Sequence, residues 1–451
     1  MANVEQLFNQ TQRRRLRRRS AYEQITENGT ISAAVMVLAA VLAVLTANTD
    51  AYEGIHALLM APITIGLGSL TASMTLELFI NDFLMAVFFL LVGIELKYEM
   101  TVGELRRPRQ AMLPMVAAIG GVAVPALIYL AINRGGAAHG WAVPMATDIA
   151  FALGVMSLLG NRVPAGVRVF FSTLAIADDL IAIAAIALFY GQSPDLLWLA
   201  GAAVTVFALI LLNRTQHMRL APYILVGLVL WFCLFQSGVH ATLAGVILAL
   251  CIPGGSGMQL ERLPGWLEEA APALDERFDE ESHVLGQHEF THAASDIERV
   301  MHQVTPPLIR LERYISTPVN FVILPIFAFA NAQVRLVGID LAALAADPVA
   351  IGVYLGMLIG KPVGIFGVTA ALVKTGVSRL PERVSLGHIA GVGVLGGIGF
   401  TMSILISGLA FTGDPFDLLA AKAAILAGSV TAAVLGLLVM RLVARKPAEE
   451  A

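Results

Sequence analysis

The 451-residue sequence is 57% apolar and only 14% charged, with a mean hydropathy of +0.77, which excludes a soluble domain of this length and places the chain in a bilayer. Its two cysteines, Cys233 and Cys251, lie inside apolar runs without metal or redox spacing, so no disulfide framework is implied. The formal charge of −4 does not point to nucleic acid, because the charges are confined to loops and to a few positions within the apolar runs.

Residues 1–30 form a basic tail, almost all arginine from Arg13 to Arg19. An apolar run follows from Ile31 to Leu45, but so long a lead-in argues for an uncleaved first span rather than a signal peptide. A crossing helix needs about 20 apolar residues. Runs of that kind predict about twelve helices, near 31–47, 77–96, 111–132, 142–159, 168–190, 196–212, 221–236, 238–252, 314–333, 349–371, 386–411 and 417–440. The chain therefore divides into transmembrane helices 1–8 over residues 31–253, a polar segment at 254–310, helices 9–12 over 311–440, and a tail at 441–451.

Charge sets the orientation. With the N-terminus inside, the loops carrying Arg106, Arg107 and Arg109, then Arg162 and Arg168, then Arg214 and Arg219, then Lys374, Arg379 and Arg383, and the tail with Arg441, Arg445 and Lys446, all fall on the cytoplasmic side. The opposite loops carry Asp50, Glu53, Asp195, Asp347 and Asp414. Both termini are thus expected to be cytoplasmic.

The segment from Gly254 to Arg310 is acid-rich, with Glu268, Glu269, Asp275, Glu276, Asp279, Glu280 and Glu281, and it holds His283, His288, His292 and His302. Two readings stand: a solvated linker with some surface helix, or a pH-sensing regulatory insertion.

Ionisable side chains deep in a bilayer cost several kcal/mol, on the order of 3 or more, so each is a functional candidate. Asp178 and Asp179 sit near the centre of their run, about 15 Å from its start at 1.5 Å per residue. Neighbours on a helix point about 100° apart, so the two carboxylates should have different partners. Asp148 follows Pro144 and Thr147 in an otherwise apolar run. A broken helix there would line a cavity and offer oxygen ligands to a hard cation, whereas the plainer alternative is a kink with Thr147 bonded to its own backbone. A second interruption is the glycine-rich segment from Gly396 to Ser403, readable alone as close packing. Two such interruptions in different halves of the chain point to crossed half-helices with opposed dipole ends at mid-membrane.

Lys361 supplies a buried cation, placed by Gly352, Gly356, Gly360 and Gly364 on a face suited to close helix approach. Pairing with a buried aspartate competes with snorkelling to the interface. Glu95 and Lys97, at the inner end of the second run, read either as part of a cytoplasmic vestibule or as an interfacial pair. His240 begins the eighth run on the outer side, as a group titrating near neutrality or a hydrogen-bonded structural histidine.

These segments, together with Ile80-Asn81-Asp82 and Leu324-Pro325 through Asn331-Ala332, resemble the NhaA family of sodium/proton antiporters over most of the chain. The resemblance implies an all-α membrane protein of about twelve helices with inverted repeats and two broken, crossing helices, in the bacterial inner (plasma) membrane. It implies that Asp179 and Asp178 are the essential carboxylates, with Asp179 the primary ligand of the transported Na+ and of the proton, flanked by Asp148 and Thr147. Lys361 would compensate charge by pairing with Asp178, and Glu95 would belong to the cytoplasmic funnel involved in pH response, for which His240 is a second candidate. The exchange would be electrogenic, with Na+ or Li+ moving against H+, no cofactor, the lipid bilayer as surroundings, and a homodimer left open. Two departures are plain: Tyr98 stands where the family often has a basic residue, and the long acidic insertion replaces a short loop.

Sodium and protons compete for one carboxylate because a protonated acid is a poor ligand. An intramembrane aspartyl protease would need two carboxylates facing from separate helices in a Gly-x-Gly-Asp context that the sequence lacks. A cation channel would favour carbonyl or charge rings, and a sensor using the insertion would not need the mid-membrane cluster.

Overall fold

The computed structural model describes residues 29–67, 70–106, 108–191, 194–256 and 258–443. The basic block Arg13–Arg19, Arg107, Arg445 and Lys446, on which part of the charge argument rests, lie outside the described residues.

In hydrocarbon every backbone N–H and C=O must be satisfied within the chain, which leaves helix as the economical form for these apolar runs. Among the described residues, nine helices are long and apolar enough to cross a bilayer. They are α1 (Gly29–Ala47), α3 (Leu76–Thr101), α4 (Ala111–Ile132), α6 (Ala165–Phe189), α7 (Leu196–Arg214), α8 (Leu220–Ser237), α12 (Pro307–Asn331), α14 (Pro348–Lys374) and α17 (Pro415–Val443). Two further spans are broken. A 3₁₀ arm (Gly136–Met145) meets α5 (Ile149–Ser157) at 41°, and α15 (Leu386–Leu395) meets α16 (Phe400–Ala410) at 48°. The pass expected over 238–252 is made differently: a turn through Gly238, at φ +78°, precedes the nine-residue α9 (Leu243–Cys251). Lys97, in the last turns of α3, donates 2.7 Å to the carbonyl of Leu250 and 2.5 Å to that of Ile252, tying the end of α9 to the end of α3.

Acidic residues read as outer-loop charges are largely helix caps. Asp195 accepts from Leu197 N at 2.8 Å, Asp347 from Val349 N at 2.8 Å and Asp414 from Phe416 N at 3.1 Å, at the starts of α7, α14 and α17. A carboxylate there satisfies orphan N–H groups and faces the positive dipole end. Between α1 and α3 the sequence reading assigned no element. The structure places a short helix, α2 (Ala51–Leu59), and an antiparallel hairpin, β1 (Pro62–Leu67) with β2 (Leu70–Thr75), in register from Pro62 opposite Thr75 to Leu67 opposite Leu70. It is the only sheet among the described residues.

The acidic insertion folds locally into α10 (Leu263–Asp275) and α11 (His288–Val304). Gln287 closes the turn between them, donating 2.6 Å to the Asp279 carbonyl and 2.8 Å to that of Ser282. The Ser282 hydroxyl also bonds the Asp279 carboxylate and holds it below the usual carboxylate range. A last short helix, α13 (Leu341–Ala346), precedes α14.

The glycine face read at Gly352, Gly356, Gly360 and Gly364 is where α14 crosses α4. A Cβ on Gly364 would stand 2.1 Å from the carbonyl oxygen of Gly120, and one on Gly360 would stand 2.7 Å from Cα of Pro125. Backbone meets backbone here, as small residues permit in membranes. Within α14 the turn Gly356–Gly360 is π-helical, immediately ahead of Lys361 and Pro362. Proline withholds an N–H and clashes with the turn before it, which such a widened turn relieves. The same device appears in α12, where the π turn Val319–Ile323 lies immediately ahead of Leu324 and Pro325.

Gly364→Val is therefore expected to lower the unfolding temperature of the detergent-solubilised protein markedly, since overpacking costs about 1–3 kcal/mol even where side chains can yield. Gly367→Ala, where a Cβ meets nothing within 4 Å, should leave it unchanged. Equal melting temperatures for the two variants would refute the close crossing.

Candidate ion-binding site at the crossing of two broken helices

The two breaks meet. From the 3₁₀ arm the chain turns extended at Ala146 and Asp148 before α5 begins, and Gly396–Gly399 link α15 to α16. Here glycine is required by contact: a Cβ on Gly399 would lie 2.7 Å from the Ala146 carbonyl oxygen, and one on Gly397 2.5 Å from that of Met357. The Asp148 amide donates to the Ile398 carbonyl at 2.7 Å, and the Thr147 hydroxyl lies 2.9 Å from that of Gly396. Backbone groups released by each break are thus taken up by the other chain segment.

One carboxylate serves both helix starts. Asp148 Oδ1 accepts from Phe151 N at 3.0 Å in the first turn of α5, while Oδ2 accepts from Thr401 N at 3.1 Å and Thr401 Oγ1 at 2.6 Å in the first turn of α16. Two positive dipole ends converge on one negative charge.

On α6, the adjacent aspartates point apart and meet different surroundings. Asp178 Oδ2 is ion-paired with Lys361 Nζ and lies 2.6 Å from Thr147 Oγ1. Lys361 is 0% exposed and Asp178 1% exposed, so the lysine does not snorkel. Because the Thr147 hydroxyl carries a single hydrogen, it can serve Asp178 or the Gly396 carbonyl at one time but not both. Asp178 Oδ1 is left without a hydrogen bond, and Asp179 differs in having neither an ion pair nor a side-chain hydrogen bond to another described residue.

Asp179 borders a cavity of about 430 Å³. Its lining includes Thr147, Asp148 and Thr401 from the broken helices, Ser32 of α1, Ser172 of α6 and Asn320 of α12, Glu95, Tyr98 and Glu99 from the last turns of α3, and Glu312 from the start of α12. The structure therefore brings Asp179, Asp148, Thr147 and Glu95 onto one aqueous-sized path, with Asp178 and Lys361 packed behind it. It does not bring His240 there. That ring lies with Nε2 2.9 Å from the Tyr190 carbonyl, just past the far end of α6. Lys97 is engaged by the end of α9 rather than by Glu95.

Sequence reasoning missed Thr401, Glu99 and Glu312 as lining groups. Glu99 was findable, one helical turn from Glu95. Thr401 lay within the glycine-rich segment already singled out, but its role depends on the fold bringing it to Asp148. Glu312 had no signal, because α12 starts at Pro307 rather than near residue 314 as hydropathy suggested.

Removing one partner of a buried ion pair leaves the other charge uncompensated, at a cost of about 3–5 kcal/mol in soluble proteins. Lys361→Ala is therefore expected to lower thermal stability, and the loss should be largely recovered in Lys361→Ala/Asp178→Asn. Additive losses in this double-mutant cycle, read by thermal unfolding in detergent, would show that the two do not act as a pair.

Comparison with known proteins covers the stretch of chain that holds these residues. A family model described as Na+/H+ antiporter 1 matches residues 23–440. Relatives named Na(+)/H(+) antiporter NhaA include one from Oleidesulfovibrio alaskensis, 44% identical with 92% of each chain covered. Others come from Rhodospirillum rubrum, 44% identical with 92% of this chain and 96% of the relative covered, and from Helicobacter pylori, 43% identical with 89% and 91% covered.

Proposed function

The chain belongs to the Na+/H+ antiporter 1 family, and from that premise we propose that it exchanges Na+ or Li+ for H+ electrogenically, by competition of cation and proton for Asp179. It is a membrane transporter rather than an enzyme. The observation that carries the mechanism is the contrast between the two aspartates of α6: Asp178 is held through Oδ2 by Lys361 and Thr147, whereas among the described residues Asp179 has no ion-pair or side-chain hydrogen-bond partner and borders a cavity edged with carboxylates.

A hard monovalent cation is bound through oxygen. Asp179, Asp148 and the Thr147 hydroxyl supply oxygens at one end of the cavity, while Glu95, Glu99 and Glu312 raise the local cation concentration at the other. Binding of Na+ requires Asp179 ionised; protonation withdraws it as a ligand. If the sodium-loaded and protonated forms both reorient while the bare charged site does not, one gradient drives the other. Rocking of one helix bundle against another about the crossing is the motion suited to this. Three carboxylates, Asp148, Asp178 and Asp179, share the centre while one cation site is offered, which supports more than one proton per cation. Positive charge in the loops bearing Arg162, Arg219, Lys374 and Arg379 supports a cytoplasmic cavity mouth in a bacterial inner membrane, with both termini on that side.

Asp179→Asn should abolish sodium-driven proton movement in proteoliposomes while leaving insertion and melting temperature near those of the parent, because Asn keeps the volume and loses the titration. Normal exchange by that variant would sink the mechanism. The insertion at 254–310 we assign to tuning, since none of the central ligands comes from it. Replacing it by a short flexible loop should preserve exchange and move or flatten its pH profile; a folded, inserted variant without exchange at any pH would make it part of the machinery.

A further inference from the structure

A second, larger cavity, of about 1000 Å³, lies outside the transport path, between the first turns of α4 and α6 and the connector 376–382 that joins α14 to α15. Its deep wall is apolar, formed by Met112 and Leu113 of α4 and Val169 and Phe170 of α6, and its rim is polar, formed by Ser378, Arg379 and Glu382. The connector is seated on α6: a Cβ on Gly166 would lie 3.2 Å from the Glu382 carbonyl oxygen and 3.3 Å from the Pro381 Cβ.

The depth of this cavity follows from its walls. All three elements contribute their ends on one face, the face of Lys374, Arg379 and Arg383, so the polar rim stands at headgroup level and the apolar wall below it. Along 374–383 three basic residues outnumber the single carboxylate of Glu382. Val169 is 48% exposed, which leaves the apolar wall open sideways. Of the other basic side chain near this end of α6, Arg168, one guanidinium nitrogen is spent on the Gly160 carbonyl at 2.6 Å. A concave site with an apolar wall, a lateral opening and a basic rim at headgroup level has the chemistry of an anionic amphiphile, since basic pockets between membrane helices recognise lipid phosphates.

We propose that this cavity binds an anionic phospholipid, its phosphate on Arg379 and Ser378 and an acyl chain along Met112, Leu113, Val169 and Phe170. The consequence for transport lies in α6. Its residues Gly166, Val169, Phe170 and Thr173 face this cavity, while Ser172, Ile176 and Asp179 face the ion path. The connector leads from the helix of Lys361 into the second broken span. A lipid lodged there bears on both and sets how readily they move.

The test uses the full chain in micelles holding equal phosphatidylglycerol and phosphatidylcholine, with retained lipid read by native mass spectrometry. The parent should retain phosphatidylglycerol over phosphatidylcholine by roughly five-fold, the factor for one basic contact near a membrane surface. Arg379→Glu should remove the preference, and Val169→Trp, which fills the cavity, should reduce retention of both lipids. Arg162→Glu, on the same face but away from the cavity, should keep the parent preference. Retention by Arg379→Glu equal to the parent, or an equal loss in Arg162→Glu, overturns the site. Excess inorganic phosphate should not displace the lipid; displacement would mean that the site takes the free anion and the acyl wall is irrelevant. In proteoliposomes, exchange by the parent should rise when phosphatidylglycerol joins phosphatidylcholine, and that of Arg379→Glu should not. A parent rate indifferent to composition removes the link to α6.

Discussion

Breaking a helix in mid-membrane exposes backbone groups that hydrocarbon cannot satisfy, and the whole centre is arranged around that constraint. Two breaks placed against each other solve it jointly: Asp148 N reaches the Ile398 carbonyl, and the Asp148 carboxylate caps both α5 and α16. Neither break would be tolerable alone. The same arrangement concentrates fixed partial charge at one depth, so the side chains that balance it must themselves be buried there. That is why the carboxylates and Lys361 lie within helices that are otherwise almost wholly apolar.

Holding the crossing in place requires helices that approach more closely than ordinary side chains allow. Gly364 against Gly120 and Gly360 against Pro125 bring α14 onto α4, and a Cβ on Gly245 would stand 2.0 Å from the Ala86 carbonyl oxygen where α9 meets α3. These contacts fix the depth and rotation of α14, and the π turn at Gly356–Gly360 then sets the heading of Lys361. In a bilayer, where lipid tails are as apolar as leucine, packing of this kind replaces the hydrophobic effect as the source of helix association.

Much of this was legible in the sequence, and for a definite reason. The spans are defined by hydropathy, and the predicted 111–132 and 196–212 fall on α4 and α7 almost residue for residue. The broken spans announced themselves by Pro144 and by Gly396, Gly397 and Gly399, and the angular separation of Asp178 and Asp179 matches their different surroundings, although only Asp178 has a partner among the described residues. What the sequence did not reveal depends on long-range contact. The double capping by Asp148 needs Thr401, 253 positions away, and periodicity within either segment does not encode that meeting. The hairpin β1–β2 begins in an apolar stretch, Ala57 to Leu67, that is too short to read as a span and is interrupted by Pro62 and Gly66, and the pass at 238–252 is too short and bent for a hydropathy window to describe. His240 was placed on the outer side by its position in the chain, whereas the cavity that gathers Glu95, Glu99 and Glu312 forms at the other end of the helices.

Asymmetry between adjacent aspartates is the last step. A centre in which both Asp178 and Asp179 were paired would be stable and inert, because a cation would have to displace an ammonium group or a hydroxyl to enter. With neither paired, two buried charges a single residue apart would repel and one would stay protonated. Lys361 divides the roles: it neutralises Asp178 and completes the packing behind the crossing, and it leaves Asp179 as the group whose charge must be met from the cavity. Whatever meets it, proton or cation, decides whether the net charge at the crossing is balanced. In the exchange we propose, movement of the helices is tied to occupancy through the same electrostatic constraint that holds the two broken spans together.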